Sequence, residues 1–145
     1  MQVLVVIDLS EISSYVVDEA VKFFKAAGAD VWLLHVGEPE PEFVGTKIDT
    51  KEMRDIRAEE FHKEHRHLQK YAKQFEKAGL KTTALLVQGE TVKTILNEAK
   101  RLSADIIMMG SHKKGALSRL LLGSTSEGVL HHSDIPVMII PANEG

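Results

Sequence analysis

Five short apolar runs, separated by stretches with helical spacing, constrain the fold of this 145-residue chain more than any other feature. They cover residues 3–7 (VLVVI), 31–36 (VWLLHV), 82–87 (TTALLV), 105–109 (DIIMM) and 137–140 (VMII). Four of them are almost unbroken in apolar residues, where a half-exposed strand would alternate. Unbroken runs suit strands covered on both faces, as in a parallel sheet. The third run is more mixed and is expected nearer an edge.

Helical patterns fill the gaps. The first opens at Ser10 as its cap and ends before Gly28, with Val16, Val17, Ala20, Val21 and Phe24 on one face. The second spans about 49–78, with Met53, Ile56, Phe61, Leu68, Tyr71, Ala72 and Phe75 on one inward stripe and Gly79 closing it. Thr91 is expected to cap the third, with Val92, Ile95, Leu96, Ala99 and Leu102 inward. The fourth starts at Ser124, where Ser124 and Glu127 have the spacing of an S-x-x-E capping box. Gly128 sits inside it, at a cost of about 1 kcal/mol relative to alanine. Strands alternating with helices predict βαβ crossovers and an open parallel sheet with helices on both faces. The length suits one domain. The long irregular piece is 37–48 (GEPEPEFVGTKI), where two prolines exclude helix or central strand.

Composition narrows the function classes. A net charge of −3 offers no basic footprint for nucleic acid. No apolar run approaches the roughly 20 residues of a membrane span. The N-terminus, MQVLVVID, lacks the basic region and cleavage site of a signal peptide. With no cysteine there is no disulfide, thiolate metal site or thiol nucleophile. A cytoplasmic protein is expected. Among seven histidines, His62, His65 and His67 read as a solvated helix face rather than a metal site, and His35 as a packed strand residue. No G-x-S-x-G nucleophile elbow is present.

The stretch 106–127, IIMMGSHKKGALSRLLLGSTSE, carries the chemistry. An apolar run stops at Gly110, a loop with two lysines follows, and Gly123 opens onto Ser124, Thr125 and Ser126. A helix N-terminus attracts anions, because its first amides have no backbone acceptor and its dipole is positive there. In open α/β sheets ligands sit beyond the carboxyl ends of the strands, where the strand order reverses. That rule selects Asp8, Val36 and Gly37 together with the glycine loop. Gly110 to Gly115 has the glycine spacing of a P-loop, but Ala116 and Leu117 stand where Lys and Ser or Thr are needed. The dinucleotide pattern G-x-G-x-x-G fails as well.

A third pattern fits. Gly110-Ser-His, Lys113, nine residues and Gly123-Ser124 resemble the G-x-x-G-x9-G-[S/T] motif of the universal stress protein family. VLVVIDLSE, LLHV, QGE, ADIIMMGSH, LLLGSTSEGVL and HHSDIPVMIIP follow in that family's order, so the resemblance covers nearly the whole chain. It implies a five-stranded parallel sheet of order 3-2-1-4-5 and a homodimer through the last strand, here 137–140. An apolar edge strand of that kind is ordinarily paired or covered. Some members of the family bind ATP and others do not; at most slow ATP hydrolysis is implied. Carried over by position, Asp8 would approach the ribose and adenine; as a carboxylate near phosphates it would also help hold Mg2+. The Val36 backbone would meet the adenine edge, with Met109 near the base. Gly110 and the amides after it, with His112 and Lys113, would hold phosphates on one side, and Gly123, Ser124, Thr125 and Ser126 on the other.

The departure is Lys113, which stands at the motif's second glycine. Its side chain either obstructs the close approach or attracts the phosphates. Val6, where ATP-binding relatives often have proline, is a smaller departure. Asp8 is a ligand group or a cap for the turn after the first strand, and Gly110 and Gly123 are phosphate-loop or ordinary turn glycines. Two functions stay open: an adenine-nucleotide-binding regulatory dimer in the stress response, and a dimeric interaction module that binds no nucleotide. A dedicated ATP-hydrolysing enzyme ranks below both.

Overall fold

A computed structural model describes residues 1–38, 51–111 and 122–141. The irregular stretch 37–48, apart from its first two residues, and the loop containing His112 and Lys113 lie outside these residues. In chain order the elements are β1 (Gln2–Val6), α1 (Ser13–Phe24), β2 (Asp30–Gly37), α2 (Lys51–Lys77), β3 (Thr82–Gln88), α3 (Thr91–Arg101), β4 (Ile106–Gly110), α4 (Ser124–His132) and β5 (Val137–Ile140). The five strands are all parallel and stand in the order β3-β2-β1-β4-β5. The mixed third run is indeed an edge strand, and β5 forms the other edge.

Alternation along the strands divides the core between the two faces of the sheet. Val3, Val5 and Ile7 join Leu33, Met108 and the inward residues of α1 and α2. Leu4 and Val6 join Leu34, Ile107, Met109 and the inward residues of α3 and α4. The central strand β1 is buried from Val3 to Val6, as its unbroken apolar sequence requires.

Helix ends show where side-chain chemistry is overruled by geometry. At Gly79 the prediction holds. Leu80 N–H reaches Phe75 O at 3.0 Å and Gly79 N–H reaches Glu76 O at 2.9 Å, with Gly79 at φ +88. This is a Schellman closure, and the positive φ is why glycine stands there. The N-terminal caps differ from expectation. The residue before α3 is Glu90, whose carboxylate accepts from Val92 N–H at 3.1 Å and Lys93 N–H at 2.7 Å; Thr91 is already helical. A carboxylate there satisfies two orphan amides and meets the positive helix end. The cap of α4 is Gly123, and the first helical bond runs from Glu127 N–H to Gly123 O, so Ser124 is inside the helix and makes no capping box. Ser10 does not cap α1, which begins three residues later after Ile12.

The largest departure concerns α2. Its 27 residues extend about 40 Å at 1.5 Å per residue. The longest strand, β2, has eight residues and spans about 26 Å. The helix therefore outruns the sheet. Leu68, Ala72 and Phe75 in its second half are buried, whereas Met53, Ile56 and Phe61 in its first half are exposed. The expected stripe exists, but only its second half meets the core.

Gly128 also finds its reason in packing. A Cβ built there would lie 2.8 Å from Val92 Cγ2 and 3.3 Å from Val92 Cγ1. The glycine lets α4 lie close against α3.

Candidate functional site

A cleft of about 740 Å³ lies beyond the carboxyl ends of the strands. It sits where the sheet order reverses, between β1 and β4, and its size is within the usual range for small-molecule sites. Nine of the residues selected from sequence line it: Asp8, Val36, Gly37, Met109, Gly110, Gly123, Ser124, Thr125 and Ser126. His112 and Lys113 lie outside the described residues.

Asp8 stands in the turn after β1. Its Oδ1 accepts from Ser10 N–H at 2.9 Å and from Ser13 Oγ at 3.3 Å. The carboxylate thus holds the turn, as the capping reading expects, and Asp8 lines the cleft. Leu9 between them has φ +62, a left-handed conformation that costs a non-glycine residue about 1 kcal/mol or more. Among the described residues the buried Ser10 hydroxyl has no hydrogen-bond partner.

Val36 offers its backbone by strand alternation. In a parallel ladder successive residues direct their peptide groups to opposite neighbours. Leu34 O accepts from Ile7 N–H on the β1 side, and Gly37 O accepts from Gly89 N–H on the β3 side. Val36 is in phase with Leu34, yet the β1–β2 register ends at Val6 and Leu34. Its peptide groups therefore lie on the β1 side, beyond the last register pair, and Val36 lines the cleft.

At the opposite wall, Ser126 is buried, and its hydroxyl donates to Gly110 O at 2.7 Å. That bond ties the first turn of α4 to the end of β4. What Ser126 shares with Ser124 and Thr125 toward a ligand is its backbone amide, because the helix supplies no acceptor for the first turn. Ser111 N–H, the first amide after Gly110, is taken by Ile140 O at 2.9 Å. Gly110 itself is closely approached by side chains at the start of α1. A Cβ there would lie 2.8 Å from Ile12 Cδ1 and 3.2 Å from Val16 Cγ2.

Sequence reading missed the third wall. Arg57, Glu60, Phe61 and Glu64 of the α2 overhang line the cleft, on a continuation of the stripe that buries Leu68, Ala72 and Phe75. A helix much longer than the neighbouring strands, with its stripe turning polar in the first half, is the signal that could have found them. His35 and Gln88 line the cleft as well, as does Thr91. The ring of His35 is largely buried: its Nδ1 donates to Ile7 O at 2.9 Å, which turns Nε2 toward Glu64 Oε2 at 3.4 Å. Tyr71, one helical turn beyond the overhang, has its hydroxyl pKa raised by burial and secondarily by the negative charge of Asp8. Among the described residues no group of three or more His, Cys, Asp and Glu is arranged to hold a metal ion. No described helix is long and apolar enough to cross a membrane.

A parallel sheet of this order, with a ligand-sized cleft at its switch point and a helix N-terminus facing it, defines a Rossmann-like α/β protein. Comparison with known proteins gives the family. A model of the "Universal stress protein family" matches residues 1–141. The universal stress protein YxiE of Bacillus subtilis is 32% identical over 146 aligned residues, covering 96% of this chain and 97% of that protein. The solved structure of the hypothetical protein MJ0577, from Methanocaldococcus jannaschii, superposes with a TM-score of 0.82 at 27% identity, over 99% of this chain and 97% of that one. A universal stress protein from Archaeoglobus fulgidus, solved in complex with dAMP, shares the fold at 21% identity and a TM-score of 0.67, over 97% of each chain. The chain belongs to the universal stress protein family.

Proposed function

We propose that this universal stress protein is an adenine-nucleotide-binding regulatory protein of the stress response, working in the cytoplasm as a homodimer. The observation that carries the reading is the cleft itself. One cavity of about 740 Å³ is lined by Val36, Asp8 and Gly123, Ser124, Thr125 and Ser126 at the N-terminus of α4. A purine presents a donor beside an acceptor on its edge and suits the Val36 backbone. Phosphates suit the amides of 124–126, which need no charged side chain to hold an anion. Asp8 would meet the sugar and help hold a magnesium ion. ATP is the proposed ligand. A protein of the same fold, from Archaeoglobus fulgidus, was solved in complex with dAMP, which supports an adenine nucleotide as the ligand class.

The proposed dimer would pair through the edge strand β5, where Val137, Met138 and Ile139 are only partly buried. An apolar edge with open ladder positions is a ready partner for a second copy. A monomeric mass at tens of micromolar protein would refute that part.

The test of the ligand is release of adenine nucleotide from denatured, freshly purified protein, followed by calorimetric titration with ATP and magnesium. Neither released nucleotide nor heat at millimolar ATP would overturn the reading and leave a dimeric interaction module. In that case Lys113→Gly, which restores the motif glycine, is expected to create affinity.

A further inference from the structure

We infer that the overhanging first half of α2 reads the nucleoside: Phe61 covers one face of the base and Glu64 accepts a hydrogen bond from a nucleoside donor. This rests on the nucleotide reading above and adds a specificity wall to it.

Three observations converge. First, Phe61 is a large apolar side chain left 38% exposed on the continuation of a core stripe, and it lines the cleft. An aromatic ring at a cavity wall offers a face on which any base can stack. Second, the two faces of the sheet supply opposite sides of the cavity. Val36 and Met109 belong to the core of the α3–α4 face, whereas α2 packs on the other face. A flat base hydrogen-bonded to the Val36 backbone would have Met109 toward one side and Phe61 toward the other. Third, Glu64 stands close to the end of β2. Its Oε2 lies 3.4 Å from Nε2 of His35, whose ring is anchored on Ile7 O at 2.9 Å. The same oxygen would be 3.5 Å from a Cβ at Gly37. The carboxylate thus lies at the end of β2, next to Val36. An ionised carboxylate only accepts hydrogen bonds, so its partner is a donor: a ribose hydroxyl or the exocyclic amine of the base.

The sign of the charge effect makes the inference testable. If Glu64 were only a negative charge beside a polyanion, its removal would strengthen ATP binding and tripolyphosphate binding alike. If it reads the nucleoside, removal weakens ATP alone. The experiment is calorimetric titration of wild type, Glu64→Ala and the double variant Phe61→Ala/Glu64→Ala with ATP, dATP and inorganic tripolyphosphate. Both positions lie on the overhang and support no core packing, so the variants are expected to fold, with unchanged far-UV circular dichroism. The expected result is ATP affinity about tenfold or more weaker in the double variant, weaker also in Glu64→Ala, and tripolyphosphate affinity within twofold of wild type. An equal loss for ATP and dATP in Glu64→Ala assigns the donor to the base amine or the 3′-hydroxyl; a loss confined to ATP assigns it to the 2′-hydroxyl. Wild-type ATP affinity in the double variant, tighter ATP binding in Glu64→Ala, or a parallel loss of tripolyphosphate overturns the inference alone. Wild-type protein that binds no nucleotide overturns the nucleotide reading and this inference with it.

Discussion

Replacing Gly128 with alanine sets helix propensity against packing, and the structure decides the sign. Alanine is worth about 1 kcal/mol over glycine inside a helix. In α4, however, the new Cβ would stand 2.8 Å from Val92 Cγ2 and 3.3 Å from Cγ1. Ordinary carbon contacts lie at roughly 3.5–4.0 Å, so the nearer methyl is about 1 Å too close. Val92 is β-branched and sits in the first turn of α3, where one rotamer dominates. It cannot swing aside, so α3 and α4 must separate. Overpacking of this kind costs about 1–3 kcal/mol. Set against the propensity gain, Gly128→Ala should destabilise by about 1 kcal/mol. Val92→Ala removes both opposing methyls. In that background the same substitution should stabilise by up to about 1 kcal/mol, a coupling of roughly 2 kcal/mol. Urea unfolding of the four proteins, followed by circular dichroism, measures it. Equal stabilisation by Gly128→Ala in both backgrounds would refute the packing explanation.

Other outcomes follow from single contacts. Ser126→Ala removes the bond to Gly110 O and should cost about 1 kcal/mol in urea unfolding, since that carbonyl loses its hydroxyl donor. Glu90→Ala removes the acceptor of two amides and should cost about 1 kcal/mol, read as faster hydrogen exchange at Val92 and Lys93. The raised pKa of Tyr71 means that the folded state holds this proton more tightly than the unfolded chain does. Its contribution is therefore complete below pH 10, the ordinary tyrosine value, and is lost as pH rises through the folded value. Tyrosinate absorbance at 295 nm should show a late-titrating tyrosine that disappears in Tyr71→Phe and titrates earlier in Asp8→Asn. No change in Asp8→Asn would show that burial alone raises it.

Much of the molecule could be read from residue order, because its determinants are local. Each strand lies within a residue or two of its apolar run, since a parallel strand needs apolar residues on both faces and declares itself over five or six positions. Gly79 ended α2 as expected because a positive φ is a property of one residue and its neighbours. The rule that ligands sit beyond strand ends supplied Asp8, Val36 and the glycine loop, and resemblance to the family added the sheet order and Met109. Caps were less legible. Glu90 and Thr91, or Gly123 and Ser124, compete over a one-residue shift that local preference does not resolve.

What the chain settled by itself was the alternation of strand and helix, and the gathering of its glycines, hydroxyls and Asp8 where strands end. Tertiary structure alone decided which neighbours those residues meet. Ile12, just before α1, and Val16 of α1 lie against Gly110, and Val92 lies against Gly128. The half-apolar stripe of α2 became a cleft wall because the helix outruns the sheet it packs on. His35 and Glu64, 29 positions apart in sequence, came to face each other because β2 ends under that overhang. Periodicity reports which face of an element is apolar; only the packed fold sets what stands opposite that face, and how close.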